Sequence, residues 1–192
     1  MARTKEFDQE QALDAAMHLF WERGYEATSI QELVDATGVQ RQSLYDTFGS
    51  KHEIFMQSLM RYQVLEGHQL SDLMSRHPKG GLPLIREIFE GCASQTVCDA
   101  RGCFAANSAA ELASSDKEVG ERIRIGRDGM EGVFERCLLQ AKESRELKSS
   151  SSVSALAQFL VNAFFGLRLM AKTRPTKAMI DNIVSVTLAA LR

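Results

Sequence analysis

Apolar residues recur at helical spacing along almost the whole chain. Between about residues 8 and 23 they fall at i, i+3, i+4 and i+7, which places them on one stripe of a helix. This stripe consists of Leu13, Ala16, Met17 and Phe20. Asp8 is expected to cap the helix, and Gly24 lies where a left-handed residue would end it. Strand-type alternation is hard to find, so the pattern predicts an all-α protein.

Two short helices follow in TSIQELVDATGVQRQSLYDTFGSK, residues 28–51. Ser29 and Glu32 form an S-x-x-E capping box, and Gly38 ends the helix after about two turns. The next helix is predicted at about residues 40–48. Because isolated helices of this length are marginal in water, both must be stabilised by packing on the first helix. Two short helices joined by a glycine turn are typical of a helix-turn-helix, whose second helix can lie in the DNA major groove.

The second of these helices has one apolar and one polar side. Val39, Leu44 and Phe48 are expected to face inward. Arginine can pair with guanine and glutamine with adenine in the major groove, while hydroxyl and cationic side chains suit phosphate oxygens. The predicted DNA contacts are Thr28, Ser29, Gln40, Arg41, Gln42, Ser43, Tyr45, Thr47 and Lys51. The alternative is that this is an ordinary solvated face.

Longer helical patterns fill the rest of the chain. A second capping box, Ser50 to Glu53, opens a long helix, and Ser115 with Glu118 is predicted to cap another. HPKGGLP at 77–83 is the clearest break in the pattern. These longer helices are predicted at about 51–77, 83–98, 115–142, 153–173 and from Pro175 onwards, with a polar loop at 144–152. The organisation predicted is a helix-turn-helix domain at 1–52 and a larger helical domain at 53–192.

Composition and charge limit the class of protein. The chain has 192 residues, of which 44% are hydrophobic and 25% charged, which is typical of a globular protein. No apolar run approaches the roughly 20 residues of a membrane span, and MARTKEFDQEQ lacks the apolar segment of a signal peptide. A cytoplasmic protein with free thiols is therefore expected.

The charge balance is a poor match to a nucleic-acid-binding protein. Net charge is −2, and residues 1–52 carry five basic and nine acidic side chains. Any DNA binding must therefore depend on a local face. The enzyme alternative has little support, because no nucleophile elbow, Gly-rich phosphate loop or HExxH motif occurs. The His residues are scattered and no CxxC pair occurs, so no metal or other cofactor is expected.

The first quarter of the chain resembles the tetracycline-repressor (TetR) family of bacterial regulators. The resemblance lies in ALDAAMHLFWERGYEATSI (12–30), LVDATGV and SLYDTFGSKHEIF (43–55). It implies a homodimer that binds double-stranded operator DNA of near-palindromic sequence, usually as a repressor. Arg41 and its neighbours fall on recognition-helix positions, and Lys51 falls on a phosphate-contacting lysine. Asp46 departs from the aromatic or His residue frequent there; it either points away or accepts from cytosine N4.

The same resemblance implies a small-molecule inducer, of unknown identity, bound in the C-terminal domain. The candidate pocket residues are Met60, Phe89, Cys103, Phe104, Asn107, Met130, Phe134, Phe164 and Phe165. Plain core positions are the alternative. The last two helices would pair with those of a partner subunit, and an intrachain core would give the same pattern. The candidate dimer residues are Phe159, Asn162, Ala163, Gly166, Met170, Ile183, Val186 and Thr187.

Cys103 suggests a second way of sensing. It lies at a probable helix start beside Arg101, and a helix N-terminus and a cation both favour a thiolate. Cys98 is close enough in sequence to act as a resolving thiol. The RGCF segment also looks like a stretch in electrophile- and oxidant-responsive TetR repressors. The alternatives for Cys103 are an inert buried thiol and a metal ligand, and Cys92 and Cys137 are expected in the core.

Three modes of action therefore stay open at this stage: release by a small molecule, release by thiol chemistry at Cys103, and regulation through protein contacts only. Activation instead of repression is compatible with the same sequence.

Overall fold

The computed structural model describes residues 7–148 and 150–191, and in these ranges the chain is all-helical, as predicted. The helices are α1 (Gln9–Arg23), α2 (Ile30–Thr37), α3 (Arg41–Phe48), α4 (Lys51–Arg76), α5 (Gly81–Cys98), α6 (Phe104–Leu112), α7 (Lys117–Glu143), α8 (Val153–Met170) and α9 (Lys177–Ala189), with a 3₁₀ turn at Ala171–Thr173. The described residues leave out both ends of the chain, residues 1–6 and residue 192, which belong to the two predicted domains. They also leave out residue 149 of the predicted loop.

Local capping explains where most of these helices begin. The Asp8 carboxylate accepts from the N–H groups of Glu10 and Gln11, which confirms it as the cap of α1. The predicted capping boxes at Ser29 and Ser50 are both complete, each with its glutamate bonded back to the capping residue. These bonds use sequence neighbours only, and this is why the sequence predicts them.

Two expected helix ends are different in the structure. α7 is capped by Asp116, whose carboxylate accepts from the N–H groups of Glu118 and Val119. The expected cap, Ser115, instead donates its hydroxyl to the Leu112 carbonyl at the end of α6. Gly24 ends α1 with φ 88° and ψ 172°, a positive φ but outside the left-handed helical region, whereas Gly38 has the expected left-handed conformation.

The N-terminal helices form a core that continues into α6 and the start of α7. Val39, Leu44 and Phe48 are buried, as expected, against α1 and α4. Phe55 of α4 contacts Phe104 of α6 edge-on, at 5.6 Å between ring centroids. Because α4 begins at residue 51 and runs on as one helix, the predicted domain boundary at 52/53 lies inside α4 and not in a linker.

A second core lies between α5, α7, α8 and α9. Phe89 and Phe134 stack within it at 5.8 Å, and α8 packs on α5 and α7 together, which explains why it is apolar on more than one side. Residues 153–173 are long and apolar enough to cross a membrane by length and composition alone. The expectation that no segment reaches that length was therefore wrong, although the helix has protein partners on two sides.

Candidate DNA-binding surface and ligand cavity

The α3 helix presents a polar face to the outside, because its apolar residues Leu44 and Phe48 are buried in the core. Leu44 and Phe48 are 1% and 7% exposed, and they anchor α3 to the core. On the other side Arg41 and Gln42 are exposed. The neighbouring Gln40 is also exposed, and Ser43, Tyr45 and Thr47 are half-buried. The structure thus brings these predicted contact residues onto one surface.

Two contacts within α3 pre-position its longest side chains. The Arg41 guanidinium lies over the Tyr45 ring, 5.5 Å from its centroid. Gln42 donates to the Asp46 carboxylate at 2.8 Å, one helical turn on. Asp46 therefore has a partner on its own helix, and Gln42 must exchange this bond to reach a base edge.

Lys51 and Ser29 flank the α3 face at the starts of two helices. The Lys51 ammonium lies over the Tyr25 ring, 4.3 Å from its centroid, at the first position of α4. Ser29 is exposed at the cap of α2. The first N–H groups of a helix favour a phosphate at both positions, but the Ser29 hydroxyl already donates to the Glu32 carboxylate at 2.8 Å and must exchange this bond to reach one.

Thr28 is a correction to the predicted contacts. Its side chain is 1% exposed, and its hydroxyl donates to the Gly24 carbonyl at 2.6 Å. The side chain therefore closes the turn between α1 and α2 and is not placed to meet DNA.

The acidic residues of this region are largely occupied by internal partners. Asp14 accepts from Arg61 of α4 at 2.8 Å, and this hydrogen bond lowers the pKa of the Asp14 carboxyl. Glu32 is bonded to Ser29 at 2.8 Å and to Arg23. Asp14 and Glu32 are thus paired with Arg61 and Arg23, whereas Asp46 keeps its negative charge on α3, where its partner is the neutral Gln42 amide.

A cavity of about 490 Å³ lies among α4, α5, α7 and α8. Four of the predicted pocket residues line it, namely Cys103, Met130, Phe164 and Phe165. Its volume is in the range of small-molecule sites.

The other five predicted pocket residues lie elsewhere. Met60 is 44% exposed, because it sits on the outer side of α4. Phe89, Phe104 and Phe134 are fully buried in ring–ring contacts and belong to the cores. Asn107 donates its amide to the Arg101 carbonyl at 2.8 Å and braces the turn before α6.

Arg168, which sequence reasoning missed, lies at the inner end of the cavity. It is only 4% exposed. Its Nη2 donates to the Tyr62 hydroxyl at 2.6 Å and to Glu66 at 3.1 Å, and its Nη1 donates to Gln95. Burial opposes its charge, but the neighbouring Tyr62, Cys103 and Glu66 outweigh burial and raise the pKa of Arg168. Burial also raises the pKa of the Tyr62 hydroxyl well above its usual value.

Cys103 caps α6 and faces this arginine through Tyr62. Its sulfur accepts from the Ala106 N–H and from the Tyr62 hydroxyl, both at 3.4 Å. Arg101 was expected to be the cation beside the Cys103 thiol, and this expectation was wrong. Arg101 instead pairs with Asp99 at 2.7 Å and lies over the Trp21 ring.

The other thiols are placed differently. Cys92 and Cys137 are buried as expected, and burial raises the pKa of Cys92 to about 12. Cys98 is exposed and lines a separate recess between α5 and α9, so the structure does not bring it to Cys103 as a resolving thiol. Within residues 7–148 and 150–191, no group of three His, Cys, Asp or Glu side chains could hold a metal ion.

The outer side of α8 and α9 carries most of the predicted dimer residues. Phe159 is 41% exposed and Val186 72%. Asn162 and Gly166 are exposed beside them, and Ala163, Met170 and Ile183 are half-buried. Thr187 is a correction, because it is buried and donates its hydroxyl to the Ile183 carbonyl within its own helix.

Direct contacts connect the cavity to the α1–α3 region. Trp21 of α1 packs edge-on against Tyr62 at 5.0 Å, and its indole N–H donates to the Gly102 carbonyl at 3.2 Å. The Glu111 carboxylate of α6 accepts from the N–H groups of Tyr25 at 3.0 Å and Glu26 at 2.8 Å. The turn before α2 is therefore bonded to α6, which begins at the cavity wall.

Comparison with known proteins gives matches in both halves of the chain. Residues 12–57 match the model described as bacterial regulatory proteins, tetR family, and residues 81–186 match a tetracyclin repressor-like C-terminal domain. The uncharacterized HTH-type transcriptional regulator YezE of Bacillus subtilis is 35% identical, with 100% of both chains covered. The HTH-type transcriptional repressor ComR of Escherichia coli is 28% identical over 97% of this chain and 90% of its own.

A solved structure extends this similarity to a DNA complex. A cysteine mutant of the TetR family transcriptional regulator CifR, complexed with 26bp double-strand operator DNA, is 26% identical. The two folds agree with a TM-score of 0.86, with 100% of both chains covered.

Proposed function

The chain belongs to the tetR family of bacterial regulatory proteins and is a helix-turn-helix transcriptional regulator, and from this premise we propose how it works. Two subunits bind a near-palindromic operator in double-stranded DNA and repress transcription. A small molecule in the cavity releases them. The observation that carries this proposal is the α3 surface, where the apolar residues are buried and the polar residues point outward.

The α3 surface suits direct reading of base edges. Arg41 is exposed at the first position of the helix and makes no ion pair with any described residue. Arginine can bind guanine O6 and N7 through two hydrogen bonds. Gln42 adds adenine recognition once it leaves Asp46, and Lys51 and Ser29 hold the phosphates on either side.

A dimer is proposed because α8 and α9 expose apolar side chains on one outer side. Phe159 and Val186 are the large apolar side chains that are exposed among the predicted interface residues. A two-fold dimer buries the same patch of both subunits. It would also place the two α3 helices in successive major grooves, with half-sites about 34–36 Å apart or multiples of this distance.

Ligand release is proposed because the cavity wall is bonded to the helix-turn-helix domain, called the reading domain below, through Trp21 and Glu111. The ligand would favour a conformer in which the two α3 helices no longer match the grooves. Operator affinity would then fall by the difference in ligand affinity between the two conformers. We infer that the protein acts by binding and not by catalysis, and that it works in the cytoplasm, where its DNA lies.

A second way of releasing the protein from DNA, by thiol chemistry at Cys103, is supported by a separate observation. The Cys103 sulfur lines the cavity and accepts a hydrogen bond from Tyr62, which itself accepts one from Arg168. An electrophile or oxidant that enters the cavity would therefore meet this thiol.

The names of the relatives support the main proposal, since ComR is described as a repressor and CifR was solved on operator DNA.

The first experiment is binding of the purified protein to the DNA flanking its own gene, by fluorescence anisotropy at two salt concentrations with unrelated duplex as competitor. Tight, competitor-resistant binding supports the proposal. If that binding falls on addition of an electrophile, the thiol mode gains support. Binding no tighter than to unrelated DNA, at this site and across a genomic selection, would overturn the repressor and favour a regulator that uses protein contacts only.

A further inference from the structure

Arg168 keeps part of its hydrogen-bonding capacity unused at the inner end of the cavity. Its Nη1 and Nη2 donate to Gln95, Tyr62 and Glu66, but its buried Nε has no partner among the described residues. Buried polar atoms are nearly always hydrogen-bonded, so this one calls for an explanation. Arg168 lines the cavity, but its Nε is enclosed, so a ligand can reach this atom only when a neighbouring side chain moves away.

Glu66 binds only part of the guanidinium edge that a carboxylate can use. Arginine binds carboxylates best through two parallel N–H bonds. Glu66 contacts Nη2 of Arg168, at 3.1 Å, while the adjacent Nε stays free. The Glu66 side chain is 31% exposed, so it can turn towards water when another carboxylate arrives.

The other charges around the cavity are balanced locally. Glu87 accepts from Arg76 at 2.9 Å and from His77, and Glu90 faces Arg86 at 4.0 Å. Arg168 is thus the most buried charged side chain of the cavity wall, and Glu66 is its one carboxylate partner among the described residues. A cationic ligand that reached the inner end would meet the guanidinium at close range, and an anionic ligand would be attracted to it.

The rest of the wall suits an apolar body. Side chains from four helices provide it, namely Leu70, Leu73, Ile88, Met130, Phe164 and Phe165. A ligand with one charged end and a hydrocarbon remainder matches this division of the cavity.

We propose that the cavity binds a monocarboxylate with an apolar chain, whose carboxylate displaces Glu66 and bonds the Nε and Nη2 of Arg168. This inference rests on the proposed function, because it names the chemical class of the inducer. Tyr62 and Gln95 would keep the guanidinium in place through the exchange, since both already accept from it.

Direct binding can be followed without DNA, through the single tryptophan of the chain. Trp21 packs on Tyr62 at 5.0 Å, so its fluorescence reports on the inner end of the cavity. The full-length protein is titrated with decanoate, decanol and decylamine, which share one chain and differ in the head group. We expect decanoate to bind at least about tenfold more tightly than decanol, and decylamine to bind more weakly than either.

A Glu66→Gln variant tests the displacement step, because glutamine keeps the size of the side chain and removes the charge that competes with the ligand for Arg168. Removing the competing charge should tighten decanoate binding by about threefold to tenfold and leave decanol binding unchanged. Glu90→Gln is the matched control, because it removes a carboxylate from the same wall that does not contact Arg168. We expect that control to change neither affinity.

Two results would overturn the proposal. One is decanoate binding no more tightly than decanol to the unaltered protein, and the other is Glu66→Gln failing to favour decanoate. Operator binding is measured on the same preparation without any ligand, which separates this inference from the proposed function. Specific operator binding with no preference for carboxylate rejects the ligand class alone, whereas carboxylate preference without operator binding rejects the repressor alone.

Discussion

At the residue scale, Arg41 is the side chain that we propose reads a base. It is exposed at the start of α3, and the Tyr45 ring beside it restricts its motion. We expect Arg41→Ala to relax base preference at one position of each half-site, at a cost of about 1–3 kcal/mol per position. Competition anisotropy with operators altered at single positions measures this change.

Lys51→Ala provides the matched comparison for Arg41. Its ammonium lies over Tyr25 at the start of α4, where it suits a phosphate and not a base. The variant should weaken binding to all sequences about equally and reduce the salt dependence of log K by about 1. A loss of base preference in Lys51→Ala, or a uniform loss in Arg41→Ala, would contradict the two assignments.

At the element scale, Asp116 joins the start of α7 to the start of α4. Its carboxylate caps α7 and lies 2.7 Å from His52 Nε2. The N–H of Val119, and then the His52 ring, lower the pKa of Asp116 despite partial burial. A lowered pKa means that folding stabilises the ionised Asp116 carboxylate relative to the protonated acid. This stabilisation is present above the usual Asp pKa of about 3.9 and is lost as pH falls through the folded value.

We therefore expect Asp116→Ala to lower the free energy of unfolding by about 1 kcal/mol at neutral pH, which corresponds to roughly 2–4 °C in Tm. Thermal unfolding should show the difference from the unaltered protein shrinking below about pH 4. Asp116→Asn is the control, because asparagine caps a helix about as well as aspartate. An equal loss in both variants would show that the His52 contact, and not the cap, carries the effect.

The helices and most of their caps were predictable because they depend on near neighbours in sequence. Ser29, Ser50 and Gly38 act through bonds to residues a few positions away. The error at Ser115 is instructive, since Asp116 offers a competing oxygen one residue later and the sequence pattern does not rank the two.

The cavity was less predictable, because which side of a helix is buried depends on its partners. Arg168 follows an apolar run and suggests an exposed cation at a helix end, yet α4 and α5 bury it with Tyr62 and Gln95. The phenylalanines Phe89 and Phe134 are as apolar as Phe164 and Phe165, and only the packing separates core from cavity wall. The error at Thr187 has the same cause, since the sequence places it on the predicted dimer face and the packing of α9 buries it.

At the scale of the whole molecule, the first prediction concerns assembly. Val186 on α9 is 72% exposed, the highest value among the exposed large apolar side chains of the described residues. If α8 and α9 form the dimer, Val186→Glu places a charge in the interface and should give a monomer in analytical ultracentrifugation.

Ile125→Glu is the control for this prediction, since Ile125 is 50% exposed on α7, away from the proposed interface. We expect it to remain a dimer. A dimer that persists with Val186→Glu would move the interface to another surface of the molecule.

The second prediction concerns the contact between α6 and the turn that joins α1 to α2. Glu111 of α6 accepts from two backbone N–H groups in the turn between α1 and α2, and Gly24 there has a positive φ. A Cβ at Gly24 would lie 2.7 Å from the Glu111 carboxylate, so the turn and the carboxylate are closely fitted. In the proposed dimer, this contact would help to set the orientation of the helix-turn-helix domain on the larger helical domain, and through it the distance between the two α3 helices.

Glu111→Gln keeps the size of the side chain but weakens one or both of these bonds. The α3 face itself is untouched, so affinity for an isolated half-site should be unchanged. Affinity for the full palindrome should fall by about threefold to tenfold, because the spacing of the two helices is less well fixed. Anisotropy with half-site and full-site duplexes separates these effects, and Glu22→Gln, an exposed change of the same kind on α1, is the control. Equal losses on both duplexes would mean that Glu111 supports the fold of the reading domain and not its placement.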